Sequence, residues 1–195
     1  GGLPYVDKGR IGIWGWSFGG YMTIMSMSEG TPVFKAGVAV AAPTDWKYYD
    51  TVYTERFMRT PKENAEGYKA ASAFSRADNL HGNLLLVHGM ADDNVHFQNC
   101  TEYAEHLVQL GKQFDMQVYT NRNHSIYGGN TRNHLYTKLT NFFRNMNLNM
   151  KPFHRRHFLQ ALTQENIKLP LQAFIQMTTE EQNIFSLKSA SAETL

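Results

Sequence analysis

Three residue types in this chain could together break an acyl bond, and they occur in a productive order. Ser17 lies in "GRIGIWGWSFGGYM" (Gly9 to Met22), two aspartates lie in "HGMADDNVHF", and His124 lies in "TNRNHSIYGGN". A serine hydroxyl is a weak nucleophile until a base takes its proton. An imidazole fills that role when a carboxylate holds its tautomer and stabilises the imidazolium. Gly15 and Gly19 frame Ser17 as G-x-S-x-G, the pattern of a sharp strand-to-helix turn that lifts a serine clear of a sheet. A side chain at either glycine would crowd such a turn. The same letters also occur in plain turns, so the flanking elements must decide.

Those elements fit. Arg10–Trp14 reads as a short buried strand. From Gly19 the apolar residues Tyr21, Met22, Ile24 and Met25 fall at helical spacing until Gly30 and Pro32. Lys35–Ala42 reads as a second buried strand closed by Pro43, and Thr44–Ala77 as loop and helix rich in aromatic and charged residues. Asn83–Val87 is a third strand, Phe97–Leu110 an amphipathic helix stopped by Gly111, Phe114–Tyr119 a fourth strand, and Thr131–Met146 a last helix. Strands alternating with helices predict an α/β fold with a parallel sheet.

In an open parallel sheet, catalytic groups collect in the loops leaving the carboxyl ends of the strands. The loop after the third strand offers Asp92 and Asp93, and periodicity leaves open which of them faces a histidine. An aspartate there could equally cap its own loop. Of the eight histidines, His124 follows a strand in a polar loop where a base belongs. His88 closes a strand and reads as a core or loop-shaping residue, and His96 could help fix the acid loop. His106 and His134 lie on helices, while His81, His154 and His157 have no motif around them.

Bulk properties narrow the classes. The 195 residues suffice for a real core, and a content of 42% hydrophobic and 13% aromatic residues excludes a disordered chain. A net charge of +2 gives no argument for nucleic acid. Cys100 stands alone, so no internal disulfide can form. No apolar run is long enough to span a membrane, and no histidine and carboxylate set has the spacing of metal ligands, so no cofactor is expected. Residues 151–195, with "HRRH" and short weakly helical stretches around Phe158–Leu162 and Leu171–Met177, form an extension of unknown role.

Four stretches in register, "GWSFGGYM", "WKYYDTVYTERFM", "LLLVHGMADDNVHFQ" and "NHSIY", resemble the catalytic domain of the prolyl oligopeptidase family of serine peptidases, most closely its dipeptidyl peptidase IV branch. The resemblance runs from about Asp7 to about Leu148, so residues 1–150 are expected to form the C-terminal part of an α/β-hydrolase domain. It implies Ser17 as nucleophile, Asp92 rather than Asp93 as acid, and His124 as base. The backbone N–H of Phe18 matches half of the oxyanion hole. Trp46, Tyr49, Tyr53 and Val95 match the wall of the pocket that takes a proline ring, and Asn94 matches the amide that binds the substrate carbonyl. A flat apolar ring suits an aromatic box; without the resemblance, "WKYYDTVY" would read as plain aromatic packing. Phe18 replaces a tyrosine common after the nucleophile, Ser125 a glycine common after the base, and Pro43 a branched apolar residue of the pocket wall.

The resemblance also implies partners and absences. In the family the elbow strand is the fifth of the sheet, preceded by four strands and a β-propeller. The second oxyanion donor and the glutamates that hold a free substrate amine lie upstream with them. The chain opens at Gly1 like an internal segment, so the segment alone is expected to be inactive and poorly soluble. Its Arg10–Trp14 strand is expected to present an open apolar edge. The reading is a serine exopeptidase releasing N-terminal dipeptides with proline or alanine second, in a parent that could be a homodimer. Family habit puts such proteins in the periplasm or outside the cell. Rival readings are a tripeptidyl, endo- or acylaminoacyl peptidase, an esterase, and a catalytically dead hydrolase-like interaction module.

Overall fold

Strands whose successive residues are all apolar must be covered on both faces, which in practice means a parallel sheet with helices on each side. The computed structural model, which describes residues 2–146 and 174–176, has this arrangement. After a 3₁₀ turn at Lys8–Arg10 come β1 (Gly12–Trp16), α1 (Phe18–Met27) and β2 (Ala36–Val40). A 3₁₀ turn at Trp46–Tyr48 leads into α2 (Thr51–Met58), α3 (Ala65–Ala71) and a further 3₁₀ segment, Ala73–Asn79. Next are β3 (Asn83–Gly89), α4 (Gln98–Gln109), β4 (Asp115–Tyr119), α5 (Thr131–Asn145) and β5 (Phe174–Gln176). The strands order as β4-β3-β2-β1-β5, and every pairing is parallel.

Alternate residues of one strand feed two cores. Leu84 and Leu86 of β3 join Ile13, Ile24, Met27, Tyr103 and Leu107 beneath α1 and α4. Leu85 and Val87 join Val38, Val40, Leu135, Leu139, Phe142 and Phe143 beneath α5. The register aligns Trp16 with Val40, Val40 with Val87 and Val87 with Gln117, so the loops after β1, β3 and β4 leave one edge of the sheet together.

Three expectations change. The first strand runs over Gly12–Trp16 rather than Arg10–Trp14, because Lys8–Arg10 closes a 3₁₀ turn capped by Asp7. Its outer edge is not open along Gly12–Trp14, where Phe174–Gln176 pairs with it. An apolar strand edge has unmet N–H and C=O groups that any extended segment can satisfy. That pairing also makes Phe174–Gln176 a strand within the stretch expected to be weakly helical. The "HRRH" cluster and Phe158–Leu162 lie outside the described residues.

Candidate active site

β1 ends at Trp16 and α1 begins at Phe18, so Ser17 makes the whole turn. It does so at φ 56°, ψ −120°, a region in which a non-glycine residue is strained. Two backbone bonds hold it there: its N–H donates to Val40 O at 2.8 Å, and its carbonyl accepts from Tyr21 N at 3.0 Å. The tightness of the turn explains Gly15, where a Cβ would lie 2.2 Å from the carbonyl oxygen of Gly19. The Ser17 hydroxyl does not cap α1. The Phe18 N–H belongs to the first helical turn, whose donors have no partner within the helix and sit at the positive end of its dipole.

Asp92, the residue expected as the acid, lies in the loop after β3. The Asp92 side chain is fully buried, with three hydrogen bonds and a fourth nitrogen close by. Its Oδ1 accepts from the backbone of Asn94 (3.0 Å) and Val95 (2.9 Å). Its Oδ2 lies 2.8 Å from His124 Nδ1 and 3.2 Å from His88 Nε2. Burial pushes the carboxyl up, but hydrogen bonds from His124 and His88, attraction to His124 and the Asn94 N–H outweigh it, bringing the pKa down to about 2. Asp93 is exposed. Of the two aspartates, only Asp92 meets a histidine.

The loop after β4 that carries His124 is tied down from several sides. Ala91 N donates to Arg122 O at 3.0 Å, joining it to the acid loop. Trp16 Nε1 donates to the His124 carbonyl at 2.9 Å, and Arg132 of α5 donates to the Ser125 carbonyl at 2.7 and 3.1 Å. The same guanidinium lies over the Trp16 ring, 5.1 Å from its centre. Ile126 is fully buried at φ 44°, a conformation a β-branched residue adopts only when its surroundings compel it. With Nδ1 facing the carboxylate, His124 Nε2 carries the lone pair. That atom is buried and has no hydrogen-bond partner, Ser17 included. The Asp92–His124 contact is therefore formed, while a His124–Ser17 contact is not. Catalytic hydrogen bonds commonly tighten only around substrate.

Beside the elbow lies an aromatic cluster. Trp46 stacks on Tyr53 with ring centres 6.0 Å apart and meets Tyr49 edge-on at 5.9 Å. Phe18 leans on Trp46 at 6.0 Å, and Tyr49 Oη donates to Asn94 Oδ1 at 2.9 Å. Asp45 positions Trp46 by accepting from Lys47 N (3.1 Å) and from the Ser72 hydroxyl (2.9 Å), while Thr44 is bonded twice to Asn99 of α4. Phe18 is 51% exposed and Tyr53 43%, so the cluster has an open side. Val95 is at 0%, and its side chain presents no surface there. Among the described residues, no group of three or more His, Cys, Asp or Glu could hold a metal ion, and no helix is long and apolar enough to cross a membrane.

This geometry stands beside a family match over residues 2–149, most of the chain. The chain belongs to the prolyl oligopeptidase family. It is 46% identical over 145 residues to dipeptidyl peptidase 4 of Felis catus and likewise 46% to the prolyl endopeptidase FAP of Homo sapiens. Each match takes in 73% of the chain and 19% of the relative, so the chain spans about a fifth of the length of these curated relatives. The crystal structure of Porphyromonas gingivalis dipeptidyl peptidase 4 is similar at 62% identity with a TM-score of 0.73, over 74% of this chain and 21% of that one. Its fold is thus that of part of an α/β-hydrolase domain of this family.

His88, expected as a core or loop-shaping residue, is buried, is bonded to Val95 O of the loop and lies 3.2 Å from Asp92. Two supports of the site leave no mark in the sequence pattern. Trp16 and Arg132 carried no motif, because each acts through a backbone carbonyl of the base loop.

Proposed function

We propose that this chain carries the acyl-transfer machinery of a serine peptidase that releases dipeptides from peptide N-termini. The observation that supports this most is the part-buried Asp92–His124 hydrogen bond at 2.8 Å, in the loops beside a strained Ser17 elbow, within a chain of this family.

In this reading Ser17 Oγ attacks the carbonyl carbon of the second substrate residue, and its proton passes to His124 Nε2. The Phe18 N–H receives the developing oxyanion as one of its donors. His124 then protonates the leaving amine. An ester to Ser17 remains, and water activated by the same imidazole hydrolyses it. Asp92 stays charged throughout and stabilises the imidazolium. Trp46, Tyr49 and Tyr53 offer an apolar wall suited to a proline ring or an alanine methyl, and Asn94 an amide for the substrate carbonyl. Val95 acts from beneath, through its backbone. The amine clamp and the second oxyanion donor belong to parts of the protein outside this sequence, so the segment by itself is inactive, and the intact protein could be a homodimer.

A second reading has a specific support, since one relative of equal identity is named a prolyl endopeptidase. The test is hydrolysis of a Gly-Pro chromogenic amide by the intact protein, with the substrate amine free and then acetylated. Cleavage of the free form alone, lost in Ser17→Ala, is the expected result. Equal cleavage of both forms would assign an endopeptidase, and no cleavage of either would overturn the peptidase reading.

A further inference from the structure

We propose that His88 is a positioning residue for the reaction, holding the Asp92 carboxylate with one N–H and tying it to the backbone beside the substrate wall; this rests on the serine peptidase reading above. His88 is the next-to-last residue of β3, with its side chain 1% exposed. Its Nε2 lies 2.8 Å from Val95 O and 3.2 Å from Asp92 Oδ2. A carbonyl oxygen can only accept, so Nε2 bears the hydrogen, donates it to Val95 O and turns its positive end toward Asp92 Oδ2. Val95 N in turn donates to Asp92 Oδ1 at 2.9 Å. Residues 88, 92 and 95 thus close a ring of contacts, and turning the carboxylate would break the Val95 bond and open the His88 contact. The Phe97 ring packs edge-on against the imidazole at 5.6 Å, fixing its plane.

This contact has an electrostatic consequence. Oδ2 serves both histidines, so a donor from His88 withdraws negative charge from the oxygen that His124 uses. Without it, Asp92 favours the imidazolium of His124 more strongly, and the base is lost to protonation at a higher pH. The other ionisable side chains around the pair are committed elsewhere or turned outward. Asp93 and His96 of the acid loop are exposed. Arg122 is bonded to Thr131 Oγ1 and Asn121 O, and Arg132 to Ser125 O. On α4, burial pushes the Cys100 thiol up to about 12, so it stays neutral.

The test uses the intact protein with His88→Leu, His88→Gln and His88→Asn, each checked for folding by thermal melting. Gln places an N–H where Nε2 sits; Asn falls short of it. His88→Leu is expected to lower kcat/KM on the Gly-Pro amide about tenfold to a hundredfold, the size of a hydrogen bond to a charged group. The loss should fall mainly on kcat, the acid limb of the pH profile should move to higher pH, and Gln should restore both. If the Leu variant does not fold, Gln above Asn in rate and in the position of the acid limb supports the same conclusion. A folded Leu variant with wild-type kcat and acid limb, or Gln and Asn indistinguishable from one another, would overturn it. An inactive wild type would instead implicate the peptidase reading itself.

Discussion

Replacing Asp92 with asparagine keeps the shape of the side chain and removes one acceptor atom. The carboxylate faces four nitrogens, two on each oxygen. An amide can accept on one atom only, so two of these donors must face its NH₂ in either orientation. If the oxygen keeps the Asn94 and Val95 bonds, the NH₂ faces His124, which must then present a bare Nδ1. Its hydrogen moves to Nε2, the atom that has to accept the serine proton. That tautomer error in a serine protease triad lowers kcat by about 10⁴, or about 5.4 kcal/mol of transition-state stabilisation. If the oxygen turns to the histidines instead, the two backbone donors are stranded, at a cost of about 1–3 kcal/mol each. Measuring kcat/KM on the Gly-Pro amide and the melting temperature of one preparation reads both outcomes. A rate at least about 10³ lower, with a depressed melting temperature if the backbone donors are the ones stranded, is expected from these bounds. An Asp92→Asn protein within tenfold of wild type in rate and equal in stability would refute the reasoning.

Other perturbations follow from the same geometry. Gly15→Ala puts a methyl 2.2 Å from the Gly19 carbonyl oxygen, against backbone that cannot swing aside; overpacking of about 3 kcal/mol and loss of activity are expected, read by denaturant unfolding and by hydrolysis. Because the Asp92 carboxyl is held at about 2 against an ordinary 3.8, its charge stabilises the fold above the ordinary value. That contribution, about 2 kcal/mol, drains away as pH falls from about 4 to about 2. Unfolding free energies measured across that window should show the loss, and Asp92→Asn should flatten it. Trp16→Phe removes the 2.9 Å bond to the His124 carbonyl; kcat should fall about tenfold with little change in KM, as expected for one lost hydrogen bond that positions the base.

The sheet was legible because each of its central strands is an apolar run, and Ala36–Val40 and Leu84–Val87 are buried at every residue. The elbow was legible because Gly15 and Ser17 satisfy steric demands that are local in the chain. The acid was harder: Asp92 and Asp93 are neighbours in a loop, and only the fold decides which turns inward. Family resemblance, not periodicity, had favoured Asp92. Contacts made through carbonyl oxygens leave no trace in side-chain patterns, which is why Trp16 and Arg132 were missed. The pairing of Phe174–Gln176 on β1 was illegible for a related reason. Backbone ladders depend on which extended segment reaches an edge, and three residues carry too little pattern to announce it.

The most direct test of the central claim is fluorophosphonate labelling of the intact protein, followed by peptide mapping of the modified residue. One label is expected, on Ser17, absent in Ser17→Ala and much slower in Asp92→Asn. A folded wild-type protein that takes no label, or takes it on another residue, would contradict it.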